Sequence, residues 1–270
     1  MDLRSDTLKL ILFLIGYFLP RDIFFIHLQF KQNLKMKKIL FLLSTAIILL
    51  SCAEKKPVNN LEITGYIKDL KNGILYIKKV KDTSLISIDT IKINGNSHFV
   101  TNIIVDAPQM YYLILDRGVT VSVDNSIAFF AEPGKMTIES SLAFYSADVK
   151  ITGSKNQALY DEYKKVANQF VDQNLDLVEA KFAAYQDKNV SELEKIKLKQ
   201  DAILKRKYLY TTNFAVNNAT FEVAPYITLS EIYDINVKYL DTIQSRMSPK
   251  VAKSLYGKKL NELIKERLKE

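Results

Sequence analysis

The order of apolar and polar positions divides the chain into three stretches with different periods. In residues 1–51 the apolar residues stand in unbroken runs; between Leu61 and Gly153 they alternate with polar ones; from Ser154 onward they recur every three or four positions. Alternation is the period of a strand with one face buried, and a spacing of three and four is that of an amphipathic helix. In the middle stretch Leu61, Ile63 and Ile67 alternate with Glu62, Thr64 and Lys68. Leu75 and Ile77 follow Asn72-Gly73, and Ile86, Ile88 and Thr90 alternate with Ser87 and Asp89. Further strands are predicted at Phe99 to Val105, Met110 to Leu115, Val119 to Val123, Met136 to Glu139 and Val149 to Ile151. Six of the eight glycines fall between Gly65 and Gly153, where they would serve the turns. About eight short strands predict an antiparallel β-sandwich or partly open barrel, one face apolar and one polar, over residues 61–153.

Residues 154–270 read as an all-helical domain, which makes the fold class α+β. Ser154-Lys-Asn-Gln157 and Ser191-Glu-Leu-Glu194 have the capping-box pattern, in which the Ser side chain and the third helical residue satisfy each other's backbone donors. Leu159, Tyr163, Val166 and Phe170 form a stripe that Phe182 and Tyr185 can continue; Leu193, Ile196, Ile203, Leu204 and Tyr208 form a second. Ser248-Pro249 is a third start signal, with Pro at the first helical position. A last helix runs from Leu255 to Leu268, and its stripe of Leu260, Leu263, Ile264 and Leu268 is expected to pack on the helical domain.

The first stretch contains a charged start, Met36-Lys-Lys, then uncharged and mostly apolar residues from Ile39 to Leu50, then Ser51 before Cys52. This is the layout of a secretory signal, with a core too short for a span of roughly 20 residues. The runs Leu10 to Leu19 and Ile23 to Ile26 are shorter still; the simplest expectation is that translation begins at Met36, the alternative being an unusually long leader that still ends at Cys52. Residues 1–51 are read as leader and signal peptide, and residues 52–60, polar and aperiodic, as a tether.

The composition, 48% hydrophobic, 25% charged and 11% aromatic, is that of a globular protein. The net charge of +8 changes little: residues 1–51 hold seven Lys or Arg against three Asp, leaving 31 basic and 27 acidic residues, interspersed, in the remainder. That is no footprint for nucleic acid. Cys52 is the one cysteine; a disulfide within the chain, a Cys-x-x-Cys redox pair and a second thiol nucleophile are therefore excluded. With His98 the one histidine after it, no metal site and no cofactor are expected.

Leu49-Leu50-Ser51-Cys52 resembles the lipobox of bacterial lipoproteins. The resemblance implies cleavage between Ser51 and Cys52, lipidation of the Cys52 thiol and a permanent membrane anchor. Ala53 after the cysteine is similar to lipoproteins sent to the outer membrane, here facing the periplasm. GILYIKK (73–79), IDTIKING (88–95), FFAEPGKMTIE (129–139), ITGSKNQALYDEY (151–163) and NFAVNNATFEVAPYI (213–227) resemble the N-terminal half of a family of Gram-negative envelope lipoproteins. In that family a β-rich domain of unknown function and a helical segment precede a thioredoxin-like thiol–disulfide oxidoreductase domain. The thioredoxin domain has no counterpart in this sequence, so redox activity is not carried over, and no catalytic residue is assigned.

Residues that could suggest chemistry have plainer readings. His98 would need an orienting acid and a nucleophile and is expected on the solvent face of a strand. Glu132-Pro133-Gly134 is expected as a type II turn. Glu231, Asp234 and Asp241 are expected on solvated helix faces, and the aromatics mainly in packing. The expectation is a lipid-anchored envelope protein that binds a ligand or partner without catalysis; the alternative is the recognition part of a split thiol–disulfide system with a separate thioredoxin-like protein partner.

Overall fold

The computed structural model describes residues 59–118 and 123–269. The leader, Ser51, Cys52 and the tether up to Val58 lie outside them, as does the strand expected at Val119 to Val123 except its last residue, which opens a 3-10 turn, Val123–Asn125.

Among the described residues eight strands precede six helices. The strands are β1 (Leu61–Lys68), β2 (Asn72–Lys81), β3 (Ser84–Asn94), β4 (His98–Ile103), β5 (Gln109–Asp116), β6 (Ser126–Ala131), β7 (Gly134–Ser141) and β8 (Lys150–Thr152). They form two four-stranded sheets, β4-β1-β7-β8 and β3-β2-β5-β6, stacked as a sandwich and not closed into a barrel. All pairings are antiparallel except β1 with β7, which is parallel. Leu61, Ile63, Leu75, Leu113, Phe129 and Ile138 fill the space between the sheets. Gly65 is required there, because a Cβ on it would stand 2.1 Å from the Phe99 ring of the neighbouring strand.

The strand at Ser126–Ala131 has no counterpart in the sequence reading, and its burial explains why. Ile127, Phe129 and Ala131 face the sandwich core, while Phe130 between them faces the helices. A strand apolar on both faces loses the alternation by which it would be recognised. Its neighbour β5 is divided in the same way: Tyr111, Leu113 and Leu115 point into the sandwich and Met110 toward the helices.

The helices are α1 (Lys155–Gln186), α2 (Val190–Asn217), α3 (Val223–Glu231), α4 (Val237–Arg246), α5 (Pro249–Ala252) and α6 (Leu255–Arg267). Ser154 caps α1 by accepting from Gln157 N at 3.0 Å, but the reciprocal half of the expected box is absent. The Gln157 side chain turns instead to the sheet, where its Oε1 accepts from Phe130 N at 2.8 Å. The second expected box is displaced: Asn189, not Ser191, caps α2, accepting from Glu192 N at 3.1 Å. Ser191 sits inside the helix. Ser248 caps α5 with Pro249 following, as expected, but this helix is only four residues long and Ser254 caps the next one, accepting from Gly257 N at 3.3 Å.

Where helices meet the sheet, Phe130 makes edge contacts with Tyr160, Tyr226 and Tyr256 at centroid separations of 6.0, 5.2 and 6.3 Å. The Tyr256 hydroxyl also accepts from Met110 N at 2.9 Å. The α6 stripe packs as expected through Leu260 and Ile264, both buried, whereas Leu268 is 68% exposed.

Two outcomes are expected. Gln157→Leu leaves the buried Phe130 N–H without its acceptor, at a cost of about 1–3 kcal/mol, read as a lower urea midpoint with an unchanged slope. Ending the chain after Gly257 removes Leu260 and Ile264, each worth about 2–5 kcal/mol, against a total stability of about 5–15 kcal/mol. Such a chain should be largely unfolded by circular dichroism, and retention of the native melting temperature would contradict the packing described.

Candidate functional site

The residues singled out from the sequence do not converge. His98 is exposed at the start of β4, stacked on Tyr66 at 4.5 Å; its backbone N–H donates to Asn96 Oδ1 at 3.0 Å. Glu231 pairs with Lys207 at 2.8 Å. Asp234 accepts from the Tyr208 hydroxyl at 2.7 Å, and burial first, then Asp234, pushes that phenol up to about 12. Asp241 is exposed on α4. Among the described residues no three His, Cys, Asp or Glu side chains group as metal ligands, and no helix is long and apolar enough to cross a membrane.

Glu132, Pro133 and Gly134 do not form the expected type II turn: Pro133 is a bend, and Gly134, at φ 137°, already opens β7. The Glu132 carboxylate accepts from Lys155 N and Asn156 N at the start of α1 and from Asn156 Nδ2 at 2.7 Å. An acidic group at a helix N-terminus meets unpaired N–H donors and the positive end of the dipole. Asn156 also donates to the buried Glu222 carboxylate at 3.3 Å and accepts from Val223 N at 2.9 Å. The two carboxylates thus share one neutral amide that joins the β6–β7 connection, α1 and α3. That is a clamp between elements.

The exposed feature with an organised chemistry is the hairpin of α1 and α2. Near the sandwich its helices pack firmly: Tyr163 bonds to Thr211 through their hydroxyls at 2.9 Å and stacks on Tyr210 at 5.7 Å. Burial raises the Tyr163 phenol above its ordinary value. Beyond Phe170 the two helices continue with little but each other. The seam between them there includes Leu177, Ala184, Ile196 and Ile203, interrupted by Gln200 donating to Asn174 at 3.1 Å. At the tip Lys188 takes φ 53° and Asn189 N donates to Ala184 O at 3.0 Å, closing the turn.

One position beyond each seam residue, α1 presents Val171, Leu175, Val178, Phe182 and Tyr185 to solvent, exposed by 50, 59, 49, 66 and 62%. The steps of four, three, four and three are those of a coiled-coil seam. The expected stripe therefore splits: Leu159 and Tyr163 are buried in the body, while Phe182 and Tyr185 belong to this second, uncovered one. Leu204 of α2, expected on the packed face, is 48% exposed and lies with Val171 along a groove of ≈ 370 Å³, whose floor includes Phe170 and Ile203. The sequence signal for the second stripe was its heptad spacing, obscured because the packed stripe runs one residue away on the same helix.

The β-sandwich joined to an α-helical hairpin is the class of structure this chain defines. Residues 61–160 match the family model described as Domain of unknown function (DUF4369). The match takes in all eight strands and the first turns of α1, including Asn156, Gln157 and Tyr160. Among curated proteins none matches the chain.

The buried tyrosines generate a pH dependence. Burial, with Asp106 second, pushes Tyr111 up to about 12, and burial raises Tyr256 to about 12 against the lowering effect of its bond from Met110. Between pH 10 and 12 the unfolded chain releases these protons while the folded chain keeps them, so stability is full below about pH 10 and falls as pH rises. Each contributes at most about 2–3 kcal/mol. The last part of the tyrosinate absorbance should appear only together with loss of structure in this window, and complete ionisation of all fifteen tyrosines without unfolding would contradict the assignment.

Proposed function

We propose that this is a lipid-anchored protein of the cell envelope, held by Cys52 at the outer membrane facing the periplasm, that acts by binding a partner and not by catalysis. The anchor rests on the lipobox-like Leu49-Leu50-Ser51-Cys52 after an apolar core with a basic start. The binding role rests on one observation above all. The hairpin leaves uncovered a heptad stripe more apolar than the seam it buries, and a run of apolar residues of this kind on a soluble surface marks an interaction site. The sandwich and α3–α6 form the body that carries the hairpin.

The anchor is tested by metabolic palmitate labelling, which Cys52→Ser should abolish while releasing the protein from membranes; an unlabelled native chain would refute it. For the binding role, Leu175→Asp with Phe182→Asp should change stability by no more than about 0.5 kcal/mol per site, as for exposed positions, yet remove the protein's cross-linked adducts in cells. Adducts unchanged by this pair would refute the reading. Purified protein should not reduce insulin disulfides; turnover without an added thioredoxin would show catalysis after all.

A further inference from the structure

We infer that the partner covering the hairpin is a second copy of this chain, paired antiparallel about Val178 so that the tip of each hairpin enters the groove of the other. The inference rests on the binding reading above and identifies the occupant of that same face.

The stripe has a centre. About Val178 its residues fall into layers of Val171 with the second copy's Tyr185, Leu175 with the second copy's Phe182, and Val178 with its own equivalent. Each outer layer then sets a smaller side chain against an aromatic one, so the separation between helices stays even along the contact. A parallel pairing would stack Phe182 on Phe182 and Tyr185 on Tyr185 at one end, with Val171 on Val171 at the other, and the helices would splay.

Length and shape agree with the antiparallel choice. The stripe extends over 15 residues, with roughly 21 Å of helix between its ends, and occupies the part of α1 between its last packed turn in the body, at Ala167–Phe170, and the hairpin tip. Two packed helices run about 8–10 Å apart, whereas a four-stranded sheet alone is roughly 15 Å across. Parallel hairpins would therefore drive the two bodies into each other, and antiparallel ones place them at opposite ends.

The groove supplies the receiving surface. It lies where the free part of the hairpin begins, lined by Phe170, Val171, Ile203 and Leu204 among others, at the level the second copy's Tyr185 reaches in this register. Val190, 74% exposed at the start of α2, lies four helical turns from Leu204 on the same face of α2 and would arrive beside that tyrosine. A whole aromatic side chain presents about 150–250 Å², so the exposed fractions of these seven residues amount to roughly 600 Å² per copy. The pair would bury about 1,200 Å², the lower end of specific interfaces. The two Glu179 side chains come near each other at the rim, exposed to water that screens them.

The test uses the full chain with Cys52→Ser to remove the other thiol. Val178→Cys, at the centre, should give a disulfide-linked dimer on mild oxidation. Val171→Cys alone should stay monomeric, and Val171→Cys combined with Tyr185→Cys should link. Adding Phe182→Glu to Val178→Cys should abolish the link while the circular dichroism and melting temperature stay those of the native chain. A monomeric Val178→Cys chain overturns the inference, and so does linkage through Val171→Cys alone, which reports parallel pairing. A photo-reactive residue at position 178 that joins in cells to a different protein, and not to this chain, overturns the second copy while leaving the binding reading in place.

Discussion

The structure depends on two strands that serve two cores at once. In β5 and β6 successive side chains leave the sheet on opposite faces, so Tyr111, Leu113, Ile127 and Phe129 complete the sandwich while Met110 and Phe130 anchor the helices. Neither core can be altered without reaching the other through a single peptide unit. The polar contacts follow the same line: Gln157 accepts from Phe130 N, Tyr256 from Met110 N, and Glu132 gathers the first turn of α1. The first two satisfy backbone groups that burial would otherwise leave costly.

From this anchored base the hairpin projects. Its two helices, 32 and 28 residues long, are far longer than their contact with the body requires, and the outer seam includes a polar Asn174–Gln200 rung where a stable helical pair would place apolar side chains. The apolar residues sit instead on the neighbouring face. Burial and exposure are thus assigned to different stripes of one helix: the inner half of α1 packs into the body, and the outer half leaves its apolar stripe uncovered.

Much of this was legible from period alone. The division near Ser154, the strands with one wet face, and the caps at Ser154 and Ser248 followed from local rules that tertiary contacts did not disturb. The failures share a cause, which is that neighbours decided what period could not. Ser126–Ala131 lost its alternation because helices cover its outer face. Ser191 yielded its cap to Asn189 because Lys188 turns the chain earlier than the Ser-x-x-Glu pattern suggests. Phe182 and Tyr185 continue the spacing of Leu159 and Tyr163 closely enough to look like one stripe, yet the long helix carries them round to another face. The role of Glu132 could not be read because its partners, Lys155 and Asn156, lie more than twenty residues away. The parallel pairing of β1 with β7 is likewise a long-range choice that no local pattern encodes.

The bond from Phe130 to Gln157 also has a bearing on how the chain survives its own synthesis. β6 is the outer strand of its sheet, and Ile-Ala-Phe-Phe-Ala with free N–H groups is a template onto which another chain could add a strand. The strand emerges from the ribosome before the helix that covers it. For that interval the sandwich carries a sticky margin, and closure by α1 comes when Gln157 takes up the Phe130 N–H and Tyr160 screens the ring. A defect in the helical half would leave this margin, and the Phe130 N–H within it, without their cover.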